Sequence, residues 1–336
     1  MIDKKSYTRL VLLLSAALVL FVLIALCVGR FSVNPKDVFA AIKGKITGVT
    51  VDEAMENVVF YIRIPRIIAA LLIGAGLSIS GAVYQSTFRN PLISPDLLGV
   101  SSGASTGAAM AIMLGAGLNA MQGFAFVGGI LAVMMATALP RLFRNRSNMM
   151  LVLSGIIVSG FMSSLLGIIK FFAEDRTDLA TIVFWQMGSI ATMKVEQVLS
   201  ILPVMLGCLC VVFLLAWWLN LLSFGEEEAR SVGANVKRLR AIAIVCASLL
   251  TASAVSVSGT VGWIGLVIPH LGRLLCGADN TKLLPVTALL GGGFLLVLDT
   301  LARSLTTMEI PLSILTGLFG APFYAWLLYK QRSRVS

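Results

Sequence analysis

The sequence predicts an all-α integral membrane protein with about ten transmembrane helices. Of its 336 residues, 58% are hydrophobic and only 12% are charged, and its mean hydropathy is +0.94. The apolar residues form stretches close to the roughly 20 residues that a helix needs to cross a bilayer. The predicted spans lie near residues 10–29, 64–84, 96–116, 119–140, 149–170, 196–219, 239–257, 261–275, 284–301 and 312–329.

The distribution of charge predicts the orientation of these spans. With the N-terminus in the cytoplasm, the inner side carries the whole formal net charge of +10, and acids balance bases on the outer side. This is the positive-inside bias of a polytopic membrane protein, and it places both termini in the cytoplasm. Lysines and arginines are scattered through short loops, so the basic composition does not indicate a nucleic-acid partner.

We expect one transmembrane domain over residues 1–336, because no polar segment is long enough for a soluble catalytic domain. The first span is expected to be retained. It is long enough to cross the bilayer, and Leu26–Gly29 is a poor signal-peptide cleavage site. The five cysteines lie within spans or at their ends, which favours buried thiols over a disulfide framework or a metal site.

Three polar stretches interrupt the spans. An external loop is predicted over residues 30–62, and a cytoplasmic loop at about 220–238 lies in the longest polar stretch of the inner side. External residues 171–195 include Phe184–Gly188, which we interpret as a short helix at the membrane interface. Small residues recur within the spans, as at Gly103, Gly107, Gly128–Gly129 and Gly291–Gly293. They predict closely packed helix backbones.

A short pattern of serine, glycine and valine occurs twice. Ser78–Val83 (Ser-x-Ser-Gly-x-Val) recurs as Ser256–Val261, and in each copy a proline, Pro91 or Pro269, follows ten residues after the glycine. The predicted topology puts one copy at the cytoplasmic end of its span and the other at the external end of its span. An inverted-topology repeat would leave this pattern, although chance recurrence of six common residues is the alternative.

The chemical motifs of several enzyme and carrier classes are weak or missing. No G-x-x-x-x-G-K-[ST] occurs, so the chain is predicted to lack its own ATP site and not to be an enzyme. Gly99–Gly103 fits G-x-S-x-G, but nothing in the sequence brings Ser101 to the single histidine, His270, as an intramembrane protease requires. An ion-coupled secondary carrier remains an alternative. Such a carrier usually needs ionisable groups near the bilayer midplane. Every acid of this chain lies in a loop or near a span end, which weakens this alternative.

The strongest positive signal is a short amphipathic helix predicted in the cytoplasmic loop. Acidic residues occupy its first turn, where the helix dipole favours them, and a glycine ends it. This segment is either part of a solvated loop or a docking helix for a cytoplasmic partner. The residues concerned are Gly225, Glu226, Glu227, Glu228, Ala229, Arg230 and Gly233.

On the outer side, Arg63-Ile-Pro-Arg66 begins the second span. Proline is favourable in a first helical turn, whereas two arginines there oppose the helix dipole. Their i, i+3 spacing puts both guanidiniums on one face. They either reach for lipid headgroups or bind carboxylates, for which the guanidinium fork is well suited. Arg303, after the ninth span, is a third external arginine.

Three long motifs resemble the permeases of iron-siderophore, haem and vitamin B12 ABC importers. The first runs from Arg63-Ile-Pro-Arg66 through Asn90-Pro-Leu to Gly99-Val-Ser-Ser-Gly-Ala. The others are Gly259-Thr-Val-Gly-Trp-Ile-Gly-Leu-Val-Ile-Pro-His-Leu-Gly-Arg273 and the segment from Asp299-Thr-Leu-Ala-Arg303 through Glu309-Ile-Pro to Gly320-Ala-Pro-Phe323. Together these motifs span nearly the whole chain.

The resemblance implies the type II importer architecture and a set of partners. It implies a homodimer or a paired heterodimer of permeases in a bacterial or archaeal inner membrane, two cytoplasmic ATP-binding subunits, and an extracytoplasmic substrate-binding protein. It implies no cofactor. Ferric siderophore is the cargo we expect, and haem, cobalamin and molybdate are the alternatives.

The resemblance also assigns residues. Arg63, Arg66 and Arg303 match the arginines that receive carboxylates from the binding protein. The segment Glu226–Gly233 matches the loop that contacts the ATPase, although Glu228 stands where alanine is commoner. The fifth and tenth helices would line the pathway, which makes Ser159 and Ser163 candidates for its wall. Hydrogen bonding back to the helix is the other use for each serine.

Overall fold

A computed structural model shows that the described part of the chain, residues 3–29, 33–47, 52–144, 147–173 and 176–332, is almost entirely helical. Its α-helices, in chain order, are α1 (Lys4–Cys27), α2 (Pro35–Thr47), α3 (Glu53–Glu56), α4 (Ile64–Phe88), α5 (Val100–Met113), α6 (Leu118–Leu142), α7 (Asn148–Phe171), α8 (Arg176–Met187), α9 (Val195–Leu214), α10 (Ala216–Phe224), α11 (Glu226–Ser231), α12 (Val236–Ser258), α13 (Ile264–Cys276), α14 (Asn280–Ala302) and α15 (Leu312–Arg332). A π-helical segment, Asn57–Arg63, joins α3 to α4, and a 3₁₀ turn, Pro95–Leu98, precedes α5.

Nine of the ten predicted spans each coincide with one helix, and the span 196–219 covers two. Among the described residues, 7 helices are long and apolar enough to cross a membrane: α1, the continuous helix that ends in α4, α6, α7, α9, α12 and α14. Of the other three, α13 and the part Leu312–Trp326 of α15 are shorter apolar helices, and α5 has only 14 residues. At 1.5 Å per residue, the 14 residues of α5 and the 13 of α13 extend about 20 Å, less than the roughly 30 Å hydrocarbon core.

Three sequence predictions about loops and span ends need correction. The external stretch 30–62, predicted as a loop, contains α2 and the helical turns that lead into α4. Asn34 and Pro35 are a helix start signal, and the Asn34 side chain accepts from the Lys36 amide at 3.0 Å. The predicted span 196–219 is divided at Leu215 into α9 and α10. The short interfacial helix predicted at residues 184–188 is the end of the longer α8.

Helix α4 lies at the centre of the bundle, packed against α9, α12, α13 and α14, whereas α1 is at the periphery. The close contacts are made by glycines, as expected from the small residues of the spans. A Cβ on Gly74 would clash with the carbonyl oxygen of Gly291 in α14, and one on Gly103 would clash with that of Gly128 in α6. Helix backbones therefore touch without intervening side chains, as in other membrane bundles.

The crossing of α4 and α13 makes Gly81→Ala a sensitive test of this packing. The added methyl group would collide with the backbone of Gly265, which has no flexible side chain that could move away. Overpacking costs about 1–3 kcal/mol, so we expect the midpoint of thermal unfolding in detergent to fall by about 2–4 °C. Gly207→Ala in α9 is the control, because its Cβ meets open space. An equal change in both variants would contradict a tight crossing at Gly81.

The two copies of the serine–glycine pattern have different local structures. Ser78–Val83 lies inside α4, which continues to Phe88, and not at the end of its span as predicted. The second copy does end its helix, because Gly259 is the C-cap of α12 and has a φ of 67°. The glycines of the two copies are therefore not locally equivalent, and an inverted repeat stays a prediction.

Candidate functional site

The three arginines predicted to bind carboxylates lie together where α4 begins and α14 ends. Arg63 is the last residue of the π-helical segment, Arg66 lies in the first turn of α4, and Arg303 is the C-cap of α14. They are only 3%, 4% and 7% exposed, respectively. The fold brings the three together and also surrounds them.

Arg66 is held by two carboxylates of this chain. Its Nε donates to both oxygens of Asp299, at 2.8 and 2.9 Å, and its Nη1 and Nη2 donate to Glu309 at 2.9 and 2.7 Å. Asp299 is fully buried in α14, whereas the Glu309 side chain is 37% exposed. Charge-assisted fork contacts of this kind are strong and directional, so Arg66 is fixed in one orientation.

Arg63 and Arg303 bind the end of α1. Arg63 donates to the carbonyl of Leu26, and Arg303 donates to that of Ala25 at 2.5 Å. The last carbonyls of a helix lack intrahelical partners and carry partial negative charge, which explains the attraction. Three cations and the two carboxylates leave the cluster with one net positive charge. Its role in docking stays a prediction.

No sequence pattern assigned a role to Asp299 or Glu309. Arg66 is 233 residues away from Asp299 and 243 from Glu309 along the chain. Both acids stand in the third family-like motif together with Arg303, and that proximity is the signal that could have identified them.

The predicted cytoplasmic helix is α11. Its residue Ala229 is fully buried. Gly233 follows the end of the helix and has a φ of 83°, a conformation that favours glycine. The Glu226 carboxylate is bound to Arg240 of α12 at 2.6 Å and to Arg230 at 3.1 Å. Glu227, Glu228 and Arg230 are exposed. Glu226 therefore attaches α11 to the bundle, and the other two glutamates face outward.

The ion pair of Glu226 predicts a pH dependence for this attachment. The hydrogen bond from Arg240 holds the pKa of the Glu226 carboxyl below its usual range. A depressed pKa means that the contact is present above the unfolded value of about 4.3 and is lost as pH falls through the folded value.

We therefore expect hydrogen exchange of the α11 amides, corrected for intrinsic rates, to stay slow from pH 7 to about pH 5 and to accelerate below about pH 4. Glu226→Gln should exchange fast throughout this range, with Glu227→Gln as the exposed control. Wild-type exchange that accelerates already near pH 6, or equal exchange in both variants, would contradict the attachment.

A second polar junction lies at the other end of α4 and α14. Asn220 of α10 donates to the Asp279 side chain at 2.7 Å, and its Oδ1 accepts from the backbone and side-chain amides of Asn280 at 2.7 and 2.9 Å. Ser86, near the end of α4, donates to Asn280 at 2.9 Å. We call Ser86, Asn220, Asp279 and Asn280 the asparagine junction. It connects α10, which leads directly into α11, with both central helices.

Helices α4 and α14 are antiparallel neighbours with the arginine cluster at one end and the asparagine junction at the other. From Arg66 to Ser86 the α4 axis extends about 30 Å, roughly the thickness of the hydrocarbon core. Midway, Ser78 donates to the Thr287 carbonyl at 3.1 Å, next to the Gly74–Gly291 contact. The pair therefore forms one closely packed unit between the two sites.

The remaining candidates fall in different places. Ser163 is exposed on α7, whereas Ser159 is partly buried with its Oγ near Gly99. Ser101 donates to Asp96, and the His270 ring lies edge-on to Tyr324 with centroids 6.3 Å apart. Neither of these two contacts joins Ser101 to His270, so they give no support to a protease.

The fold itself has a close counterpart among solved structures. A structure described as an inward-facing conformation of an ABC transporter, assigned to the metal-chelate type, superposes with a TM-score of 0.86 at 38% identity, over 96% of this chain and 99% of that one. The fold is therefore that of a permease subunit of the ABC importer class. The chain belongs to the FecCD transport family, whose model matches residues 17–330.

Named relatives agree on the class but differ in cargo. The molybdate import system permease protein MolB of Haemophilus influenzae is 39% identical over 325 residues, 97% of this chain and 96% of the relative. A probable iron chelatin transport system permease protein of Helicobacter pylori is 45% identical over 280 residues, 83% of this chain and 84% of the relative. Relatedness alone thus leaves the cargo of this chain open.

Proposed function

We propose that this permease imports an iron chelate, a ferric siderophore, through the inner membrane of a bacterium or archaeon. A substrate-binding protein delivers the cargo from outside, and two cytoplasmic ATPase subunits drive transport. The observation that carries this proposal is the helix pair α4–α14, which joins an arginine cluster at one membrane face to the asparagine junction and α11 at the other.

The arginine cluster is the docking site in this proposal. Its single net positive charge attracts carboxylates of the binding protein. Glu309 is the exposed member of the cluster and already occupies the Nη1 and Nη2 groups of Arg66. A docking carboxylate would therefore replace Glu309 on Arg66, while the buried Asp299 keeps the guanidinium in place.

Helix α11 is the contact for the ATPase. Its outward-facing side chains, Glu227, Glu228 and Arg230, are available to a partner, whereas Glu226 and Ala229 hold the helix to the bundle. Movement of α11 would be passed to α10 and, through the asparagine junction, to α4 and α14. The departure at Glu228 from the commoner alanine adds one acid to the partner-facing side.

The pathway would lie between two permease copies, along α7 and α15. On α7, Gly160, Ser163 and Gly167 are exposed, and a Cβ on either glycine would meet open space. Neither helix carries a charged residue before Lys170 or Lys330. A wall without cations suits a bulky chelate better than an oxyanion such as molybdate, which favours the iron cargo named for the Helicobacter relative.

Uptake by cells that lack their own importers tests this proposal. The permease is expressed with its neighbouring ATPase and binding-protein genes, and the cells receive labelled ferric siderophore, haem, cobalamin and molybdate. Uptake of the siderophore alone is expected, and uptake of another ligand instead would replace the cargo assignment.

Two controls test whether uptake needs the ATPase and the arginine cluster. An ATPase-dead partner and the Arg63→Glu/Arg66→Glu permease should each abolish uptake, provided that the variant is present in the membrane at the wild-type level. Asp37→Asn on the exposed surface of α2 is the matched control and should transport normally. Normal uptake by the double-arginine variant would refute docking at the cluster.

A further inference from the structure

A groove of about 680 Å³ lies between α6, α7 and α12, at the end of the bundle where α11 is attached. Its walls are mainly apolar and include Val133, Met134, Leu151 and Val245. Met134 and Val245 are 60% and 53% exposed, so the groove opens sideways to the surroundings of the bundle. A sideways opening in a membrane-spanning bundle faces lipid or another protein.

The two ends of the groove differ in chemistry. One end carries three cations, Arg141 at the end of α6 and Lys237 and Arg240 at the start of α12. The ion pairs of the described residues include Arg240, which binds Glu226, but neither Arg141 nor Lys237. The rim therefore keeps a net positive charge after Glu226 is counted.

Two buried polar atoms at this end also have no hydrogen-bond partner in the described part of the chain. They are the Nε of Arg240 and the Oδ1 of Asn148, in the first turn of α7. Buried polar atoms in proteins nearly always have partners, so both call for an explanation. A ligand with an anionic oxygen and a hydroxyl group would satisfy the donor and the acceptor together.

The dimensions of the groove match one leaflet of a bilayer. From Arg141 back to Ile130, the α6 wall is about 16 Å long at 1.5 Å per residue, close to half of the roughly 30 Å hydrocarbon core. An acyl chain fits the apolar length, and its phosphate would lie among the cations. Basic pockets between transmembrane helices on the cytoplasmic side are recognised sites for anionic lipid headgroups.

We propose that this groove binds an anionic phospholipid with a hydroxylated headgroup, of the phosphatidylglycerol type, in the cytoplasmic leaflet. The phosphate binds Arg141, Lys237 and Arg240, a headgroup hydroxyl donates to Asn148, and one acyl chain fills the groove. Because Arg240 also binds Glu226, the bound lipid contacts a residue that attaches α11 to the bundle. The proposal thus concerns the lipid around the bundle and does not depend on which cargo is transported.

The test measures phosphatidylglycerol retained by the purified permease in native mass spectrometry, with phosphatidylcholine as the zwitterionic reference. We expect one tightly held phosphatidylglycerol. We expect Arg141→Gln/Lys237→Gln to bind it about 25-fold more weakly, at about fivefold per cation. Arg238→Gln is the matched control. It removes one positive charge from the position next to Lys237 in α12, outside the groove, and should leave binding unchanged.

Further measurements distinguish binding of a whole lipid from binding of its headgroup alone and from occupation of the groove by a protein. Inorganic phosphate and glycerol phosphate should not raise the thermal stability as phosphatidylglycerol does. An equal effect of free phosphate would reduce the site to an anion site without lipid. Equal retention of phosphatidylcholine, or unchanged binding by the double variant, would overturn the proposal. So would loss of lipid when the ATPase is bound, because the groove would then belong to that interface.

Discussion

Asp299→Asn is expected to destabilise the permease more than any other single change in the arginine cluster. Asp299 is fully buried and accepts from Arg66 at 2.8 and 2.9 Å, with the Arg303 Nε at 3.9 Å. Neutralising it leaves buried guanidiniums with too little countercharge. Removing one partner of a buried ion pair costs about 3–5 kcal/mol. The midpoint of thermal unfolding in detergent should therefore fall by about 4–7 °C.

Two further variants separate charge from packing. Glu309→Gln should cost much less, because Glu309 is partly solvated, whereas the paired change Arg66→Met/Asp299→Leu should recover much of the loss. Replacing a whole buried ion pair by apolar side chains is often close to neutral. Asp37→Asn on the exposed surface of α2 should change the midpoint little. If Asp299→Asn and Asp37→Asn had equal effects, the buried pairing of Arg66 would be wrong.

Asn220→Leu is expected to separate ATP hydrolysis from transport. It removes the contacts that connect α10 to Asp279 and Asn280, and leaves their polar groups without these partners. An unsatisfied buried polar group costs about 1–3 kcal/mol, which loosens the junction without unfolding the bundle. In the reconstituted complex, cargo moved per ATP hydrolysed should fall by about tenfold, the equivalent of about 1.4 kcal/mol, while hydrolysis continues.

Ser223→Ala is the matched control for this prediction. Ser223 lies one turn further along α10, and its exposed hydroxyl donates to the Asn220 carbonyl within the helix. Its transport per ATP should equal that of the wild type. Asn220→Asp should be impaired as well, because it places a second carboxylate beside Asp279. If transport and hydrolysis fell in proportion in the Asn220 variants, the junction would be structural and would not transmit motion.

The sequence was sufficient to place the transmembrane helices because hydropathy depends on local composition. All ten predicted spans fall on helices, although the span 196–219 covers two of them, α9 and α10. The prediction is wrong where the composition is mixed. The predicted external loop contains the helical segments Pro35–Thr47 and Glu53–Arg63, in which charged and apolar residues alternate with no long apolar run. Glycine packing was also predictable in kind. Which glycines meet, such as Gly81 with Gly265, depends on the tertiary arrangement of the helices.

The candidate site was predictable only in part, for the same reason. Arg63 and Arg66 share a helix face by spacing alone, and a resemblance supplied Arg303. Their burial depends on Asp299, Glu309 and the end of α1, which are distant in sequence. Likewise, the three glutamates of α11 are equivalent in sequence. Only the fold shows that Glu226 binds Arg240 while Glu227 and Glu228 face outward.

The central claim, that this chain is a permease driven by a partner ATPase, is tested most directly in proteoliposomes. The purified permease, its ATPase subunits and its binding protein are reconstituted, and entry of labelled ferric siderophore is measured with ATP on the ATPase side only. The account predicts entry that requires ATP and stops with an ATPase-dead subunit. Entry of the same cargo through the permease alone, driven by an ion gradient, would contradict it and establish a secondary carrier.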